Sequence, residues 1–546
     1  MKSAVTLLVI VILASVIRLW DIGRLPNGLH WDEQDTGYQA YSLLRTGRDY
    51  FGNPLPVFPH SFAEFRTPVF IYSTVPFVTA LGLTSTAVRL PAAFFGILFV
   101  ILMYALGSLL FKNLKIGRLA AFSAALSPWH VQYSRQSVET GSALFLFLLG
   151  FCLLVRGIRK KTFLPFAGLF LSLSTLAYAP LKLFVPLILI VFLFINRKSY
   201  VINQQLLIGL SLFILIFTPI FIDGLIGKSG QRFRELSILT DPTVSSTVDN
   251  RRLTQQLSSG VPRQVGLSPR VIDRLLVNKP ILWAKTFLEN YFHTFSTQYL
   301  FTIGDTQLRH SPGRETIGML HLIEALPLLV GLAILFTTKT HSMILFWLFL
   351  APLPGSLTRS DNPHAARLLI LLPALIFTIS LGLWQLTRWV KLTIPVYLVF
   401  LAISSLFIYN YFFSNYRWES AKPFQWGFDA AISTSISESP NYDRIILDFK
   451  DDSAIMAYLF YTRFDLVKFQ NLQPLANVEV TPGLTSRQFG NIYLLHPGIR
   501  VWTNIHLTGK NLIIASADQP LIDQIKPVVN RIDYPDSTPA FYIFER

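Results

Sequence analysis

Apolar runs long enough to cross a bilayer recur along this chain of 546 residues. Two examples are LPAAFFGILFVILMYALGSLLF (90–111) and FLPFAGLFLSLSTLAYAP (163–180). A helix needs about 20 apolar residues to cross the hydrocarbon core. Lipid leaves no solvent for backbone polar groups, so only helices or closed barrels can span it. A barrel is excluded, because its strands would read as alternating segments of roughly ten residues. Composition agrees: 52% of residues are hydrophobic and 14% are charged, and mean hydropathy is +0.46. The chain therefore reads as a polytopic α-helical membrane protein. Spans are expected near 4–20, 87–111, 119–134, 139–155, 163–179, 181–196, 204–222, 317–337, 341–356, 366–386 and 392–412, about eleven in all. Pro128, Pro186, Pro219 and Pro327 interrupt some of them, which neighbouring helices can accommodate. The first run, 4–17, has no small-residue cleavage site before RLWDIGRL and is expected to stay as a first helix.

The formal charge of +16 would suit a nucleic-acid partner. Much of it lies in short connections between apolar runs, so topology accounts for it better, and no nucleic acid is expected. Five connections, KNLKIGR, RGIRKK, RKSYVINQQ, TKTH and TRWVK, are basic and contain no Asp or Glu. The positive-inside rule puts these and Lys2 in the cytoplasm of a multi-pass plasma-membrane protein. The outer face then carries segments 21–86 and 223–316, the turn TRSDNPHAAR (358–367) and everything beyond about 413. Beyond 413 the long apolar runs cease. YDRIILDF, NIYLLHPG, NLIIASA and PAFYIFE read as short strands and DDSAIMAYLFYTRF as a helix. Two domains follow: a transmembrane domain, 1–412, and a small extracytoplasmic α/β domain, 413–546. The single cysteine, Cys152, excludes an intramolecular disulfide.

Five outer stretches hold the chemistry. In HWDEQDTGYQAYSLLRTG (30–47), a helix on the outer surface is expected, with Tyr38, Tyr41 and Leu44 on one side. Capping explains part of its acidity, since Asp32 suits an N-cap with Asp35 three residues on. The functional alternative makes Asp32 or Glu33 a base. Neighbours on a helix diverge by about 100°, so the two are not expected to share one task. Glu64 and Arg66 stand at the mouth of an apolar segment, where a solvated helix end is the plain reading and an anionic lipid head group meeting the cation is the alternative. SPWHVQYSRQSVET (127–140) holds His130, Arg135 and Glu139, with an Arg135–Glu139 helix pair as the plain alternative. Its Pro-Trp pair suits an interfacial anchor. ENYFHTFSTQYLFTIGDTQLRH (289–310) leads aromatic residues into Asp305, Arg309 and His310. His364 and Arg367 occupy the last outer turn, where an arginine can also simply snorkel.

Ionisable groups at membrane depth are costly and usually functional. Transfer of a sugar from a polyprenyl phosphate to a hydroxyl suits this mixture. The lipid needs an apolar groove, and the departing phosphate needs cations or polar donors. The acceptor hydroxyl must give up a proton to a carboxylate. A carboxylate acting directly on the acceptor makes the displacement single and inverting, by analogy with inverting glycosidases. Two other classes stay open: a transporter or flippase for lipid-linked glycans, which would need polar or broken helices near the midplane, and a non-catalytic scaffold.

Asp32-Glu33, PWHVQYSR, LFTIGDTQLRH and PHAAR occur in an order along residues 1–412 that resembles the GT-C superfamily of membrane glycosyltransferases. The resemblance is to bacterial and archaeal relatives of protein O-mannosyltransferases and of the lipid A aminoarabinose transferase. It implies a donor carried on polyprenyl phosphate, an outer-face site, and Asp32 as base with Glu33 assisting. Arg66, Arg135, Arg309 and Arg367 become candidates for the phosphate, and Asp305 and His310 for the site lining. Glu64, His130, Glu139 and His364 are secondary candidates. The acceptor is protein, glycan or lipid. Relatives of the aminoarabinose enzyme carry a Glu-Lys-Pro-Pro string where this chain reads Phe65-Arg66-Thr67-Pro68, with Glu64 one residue early. Arg66 can replace the lysine, whereas the glutamate and any metal it helps to bind have no clear counterpart. No obligatory metal or other cofactor is expected.

Overall fold

The computed structural model describes residues 2–62, 64–198, 203–258, 271–311, 313, 315–338, 341–359, 363–449, 453–472, 475–525 and 528–546. Residues 199–202 and 339–340 of two basic connections, and 360–362 of the last outer turn, lie outside that set. The chain is mainly helical and divides into two compact units built from separated segments. One comprises Met1–Val11, Phe99–His130 and Ala143–Ser404; the other comprises Ile12–Leu98, Val131–Ser142 and Ser405–Arg546.

Among the described residues, five helices are long and apolar enough to cross a membrane: Ser85–Phe111, Thr140–Gly157, Gln204–Ile226, Ala365–Trp389 and Thr393–Glu419. A bent pair, Leu322–Thr337 with Ser342–Ser356, meets the same test when taken together. Shorter apolar helices cover Ala4–Leu19, Pro68–Leu81, Lys161–Ala177 and Leu181–Ile195. Pro68–Leu81 is an addition to the expected spans, lying inside the stretch 21–86 that reads from sequence as a loop. Its start is set by Pro68 at the first helical position, where a missing N–H costs nothing. The expected span 119–134 is instead a helix over Leu114–Leu126 followed by a short one over Pro128–Tyr133. In the first unit, helix crossings are close because the contacting residues are small. A Cβ on Gly331 would meet the Thr378 carbonyl oxygen at 2.0 Å, and one on Gly382 would meet that of Pro327 at 1.9 Å. Such small-residue contacts let apolar helices pack without a hydrophobic drive between them.

The second unit contains a seven-stranded sheet: β1 (Arg444–Asp448), β2 (Asn477–Thr481), β3 (Leu484–Phe489), β4 (Ile492–Leu495), β5 (Asn511–Ser516), β6 (Val528–Asp533) and β7 (Pro539–Glu545), in the order β2-β3-β4-β1-β5-β7-β6. The central β1 runs parallel to β4 and β5, and the outer pairings are antiparallel. The four strands expected from sequence are β1, β4, β5 and β7. β2, β3 and β6 are additional; their polar composition (NVEVT, LTSRQF, VVNRID) hides them. The expected helix forms at Ser453–Thr462.

One face of the sheet shares a core with residues of the 21–86 stretch. Ile445 and Leu447 of β1 and Phe460 and Phe469 pack in a cluster with Leu29, Tyr38, Tyr50, Leu83 and Val88. The 30–47 stretch therefore does not lie on a surface. Its helix, Trp31–Thr46, buries Glu33, Gln34, Asp35, Thr36, Gln39 and Ser42 along with Tyr38 and Leu43. It ends at Gly47, whose left-handed φ of 65° lets its N–H reach the Leu43 carbonyl.

Candidate active site

The N-terminus of the Trp31–Thr46 helix carries the acidic residues Asp32, Glu33 and Asp35. The cap is His30, not Asp32: His30 Nδ1 accepts from the Asp32 N–H at 3.1 Å. Glu33 Oε2 accepts from the His30 N–H at 3.2 Å, which completes a capping box. Two of the helix's orphan N-terminal groups are thus satisfied without the Asp32 side chain.

The two adjacent carboxylates diverge, as helical geometry requires. Glu33 turns to Arg89, with Arg89 Nε donating to Oε1 and Nη2 to Oε2, each at 2.9 Å. Glu33 Oε1 also accepts from the Ser137 N–H at 2.9 Å. Burial opposes its charge, but Arg89 and these donors win and hold the Glu33 carboxyl below its ordinary value. Arg89 also donates to the carbonyls of Ile22, Pro26 and Gly28. Arg89 escaped the sequence reading because it lies inside the apolar run that begins the next span.

Asp32 turns the other way. Arg66 Nη1 donates to Asp32 Oδ1 at 2.9 Å. The same nitrogen lies 3.5 Å from Glu64 Oε1, and Arg66 Nε lies 3.7 Å from Asp35 Oδ2. Burial disfavours the Arg66 charge, but Asp32, Asp35, Glu139 and Glu64 outweigh it and hold the guanidinium well above its ordinary value. Glu139 therefore acts electrostatically on Arg66. It does not pair with Arg135 along a helix, because residues 134–139 lie between two helices. Asp32 Oδ2 lies 3.3 Å from His30 Nδ1. As the capping acceptor that nitrogen carries no proton, so this contact is not an ion pair in the capped state.

Asp35 is the most enclosed of the group. Tyr50 and Ser61 hydroxyls donate to its Oδ1 at 2.6 and 2.9 Å. Burial pushes its carboxyl up, against the opposing pull of Arg66, Tyr50 and Ser61. Asp32 keeps 17% of its side chain exposed and Asp35 none, which leaves Asp32 as the reachable carboxylate of the pair.

Arg135 stands apart from this ring. Its guanidinium donates to the carbonyls of Ile17, Arg18, Trp20 and Leu25 at 2.7–3.2 Å. It braces the turn after the first helix.

The remaining candidates belong to the other unit. Asp305 Oδ2 accepts from the Ala365 N–H at 2.8 Å and Oδ1 from the Gln307 N–H at 2.9 Å, so it ties the segment around 305 to the one around 365. The rings of His310 and His364 lie 4.3 Å apart. Arg367 Nη1 donates to Thr358 Oγ1 at 2.6 Å. Burial, then Arg367, Arg232 and Arg309, push the His364 imidazole down to about 3. His364 is therefore neutral in a positive field, a setting suited to an anion. Arg232 was not singled out from sequence; only the fold brings its charge to bear. His130 is buried and stacks on Phe99 at 3.8 Å. Trp129 is fully buried, with Nε1 donating to the Ala365 carbonyl, so it is a core residue and not an interfacial anchor. Among the described residues, no group of three or more His, Cys, Asp or Glu is disposed to hold a metal ion.

Apolar helices of membrane-spanning length and a small C-terminal α/β domain, with an acidic helix start at Trp31–Thr46, define a helical membrane-protein fold. Residues 66–222 match the family model described as dolichyl-phosphate-mannose-protein mannosyltransferase. No curated protein sequence matches the chain. Its fold is similar to the crystal structure of ArnT from Cupriavidus metallidurans bound to undecaprenyl phosphate, with a TM-score of 0.50 and 11% identity over 99% of this chain and 97% of that one. The apo oligosaccharyltransferase of Archaeoglobus fulgidus gives a TM-score of 0.47 at 13% identity, over 84% of this chain and 64% of that one.

Proposed function

We propose that the chain is a glycosyltransferase that moves a sugar from a polyprenyl-phosphate carrier to an acceptor hydroxyl at the outer membrane face. The observation that carries this reading is the position of Asp32: reachable, released from capping, and held by Arg66 at 2.9 Å while Glu33 is committed to Arg89. The match of 66–222 to a mannosyltransferase family model supports it, as does the likeness to a fold crystallised with undecaprenyl phosphate.

In the proposed step Asp32 takes the proton of the acceptor hydroxyl. The acceptor oxygen bonds to the anomeric carbon as the bond from that carbon to the phosphate oxygen breaks. The carrier leaves as the polyprenyl phosphate anion, and configuration inverts. Arg66 orients Asp32, and Glu33 fixes the helix start. Arg309, His310 and Arg367, with Asp305 as the tie between their segments, are assigned to the donor phosphate. The sugar is a hexose or pentose, and the site works without an obligatory metal.

The test is transfer of labelled sugar from a panel of polyprenyl-phosphate donors by membranes containing wild type or Asp32→Asn. Loss of a general base lowers rates by about 10²–10⁴-fold. Near-normal transfer by inserted, folded Asp32→Asn would remove Asp32 from this role.

A further inference from the structure

The helix Pro68–Leu81 has no task in the proposed reaction. Its 14 residues rise about 21 Å, too little for a hydrocarbon core of about 30 Å. It carries no charged residue. One side buries Phe70, Ile71, Thr74 and Val78, while Pro76, Thr79, Ala80 and Leu81 are exposed. An apolar helix with an open side needs apolar surroundings. Its hydroxyls are arranged for such surroundings. Ser73, Thr74 and Thr79 each donate to the carbonyl four residues earlier, and Tyr72 donates to the Pro56 carbonyl at 3.0 Å. All four hydroxyls of the helix thus find partners within the protein, which lipid requires and water does not. The Phe77 ring lies 6.5 Å from that of Phe94, a half-exposed residue of the span Ser85–Phe111. The helix therefore adjoins a surface that a spanning helix turns outward.

The Tyr72–Pro56 bond attaches a hairpin to this helix. Arg48 pairs with Pro54 in an antiparallel bridge, and the Leu55 N–H donates to the Gly47 carbonyl at 3.0 Å. At its tip Leu55 is 70% exposed and Val57 61% exposed. Residues 40–62 contain three charged side chains, Arg45, Arg48 and Asp49. Asp49 is buried and accepts from the N–H groups of Phe51, Asn53 and His60 and from the Asn53 side chain, at 2.8–3.0 Å. Both arginines are exposed. Arg45 lies over the ring of Tyr41, which packs against the cluster of Ala40, Val78 and Ala87. An open apolar tip with cations beside it is the pattern of a segment that enters the boundary between head groups and acyl chains.

We propose that the helix Pro68–Leu81 and the hairpin 48–57 form an anchor seated in a bilayer surface that contains anionic lipid. Leu55 and Val57 enter the apolar boundary, and Arg45 and Arg48 meet lipid phosphates. The anchor holds the chain beside the acidic helix Trp31–Thr46 at a fixed depth, because that helix ends in the same hairpin at Gly47.

The test uses the full chain in nanodiscs with its single cysteine removed by Cys152→Ala. Leu55→Cys and Val57→Cys are labelled one at a time with an environment-sensitive fluorophore. Each is challenged with a phospholipid bearing a nitroxide high on its acyl chain, and with aqueous iodide. Lipid should quench both positions at least about twofold more than iodide does. Adding Arg45→Gln and Arg48→Gln to Val57→Cys should lower lipid quenching in discs with phosphatidylglycerol and leave it unchanged in pure phosphatidylcholine. Val57→Cys tests the surface by itself if Leu55→Cys disturbs the hairpin. Iodide quenching without lipid quenching overturns the proposal. Protection from both quenchers also overturns it, since protein, such as a second copy of the chain, would then cover the tip. Equal effects of the arginine changes in both lipids overturn the anionic preference. None of these readouts needs sugar transfer, so the anchor and the transfer reading fail separately.

Discussion

Arg89 grips Glu33 at two points, Nε to Oε1 and Nη2 to Oε2, both at 2.9 Å, with neither side chain reaching solvent to any extent. The same guanidinium holds three carbonyls of the segment that precedes the acidic helix. The pair thus fixes both the start of the helix and the approach to it. Breaking one side leaves an uncompensated buried charge, which costs about 3–5 kcal/mol. Glu33→Gln and Arg89→Met should each lower the thermal midpoint of the purified protein sharply. The double variant should cost less than the two single ones added together, and additive losses would show that the two do not act as a unit.

Asp32 and Asp35 lie three residues apart on one helix and differ in what surrounds them. Asp35 is sealed and accepts from Tyr50 and Ser61 through one oxygen. An asparagine keeps that acceptor and removes a carboxyl whose charge burial disfavours. Asp35→Asn should therefore keep sugar transfer within a few-fold of wild type and shift stability by only about 1 kcal/mol. Asp32→Asn should lower rates by at least about 10²-fold, and it should also lower the thermal midpoint because it weakens the pairing of the buried Arg66. Equal losses of transfer in both variants would assign the two carboxylates to one function.

Membrane integration, the helical class and four of the seven strands were legible in the sequence because each rests on a long apolar or β-branched run. The acidic knot at 32–35 was legible as a place but not as a geometry. Capping residues look alike in sequence: Asp32 fits an N-cap better than His30 by residue type, yet His30 takes the position and frees Asp32. Arg89 was hidden within an apolar run, and Arg232 within an exposed helix. Arg135 drew notice as a charge near the membrane, although its partners are backbone carbonyls that no sequence pattern displays. Polar edge strands such as β2 and β6 carry no hydrophobic alternation, so their pairing partners alone define them.

Burial pushes the Asp448 carboxyl up to about 6, against the opposing pull of Arg500 and Trp502. An acid with a raised folded value stabilises the fold fully below its unfolded value near 4 and loses that contribution as pH rises through the folded value. Stability should thus fall between about pH 4 and pH 6 by up to about 3 kcal/mol from this group and level off above. Thermal midpoints measured from pH 4 to 7 should show this decline in wild type but not in Asp448→Asn. Parallel curves would show that Asp448 titrates alike in folded and unfolded chains.

The five basic connections support our proposal of a cytoplasmic N-terminus and an outer C-terminal domain. Alkaline phosphatase fused after Arg546 should be active in a bacterial host, and green fluorescent protein at the same point should stay dark. The reverse pattern would invert the orientation and move Asp32 to the cytoplasmic face.

Arg135 and Arg367 are both arginines singled out from sequence, but their partners set them different tasks. Arg135 satisfies four backbone carbonyls and is fully buried. Removing it strands buried acceptors, at about 1 kcal/mol or more for each. Arg135→Ala should lower the thermal midpoint while the surviving protein keeps its apparent affinity for the donor. Arg367 has a hydroxyl partner in Thr358 and acts electrostatically on His364, whose ring lies 4.3 Å from that of His310. Arg367→Ala should leave the midpoint close to wild type and raise the donor KM at least tenfold, with Arg367→Lys recovering part of it. A donor KM that moves with Arg135→Ala and not with Arg367→Ala would exchange the two assignments.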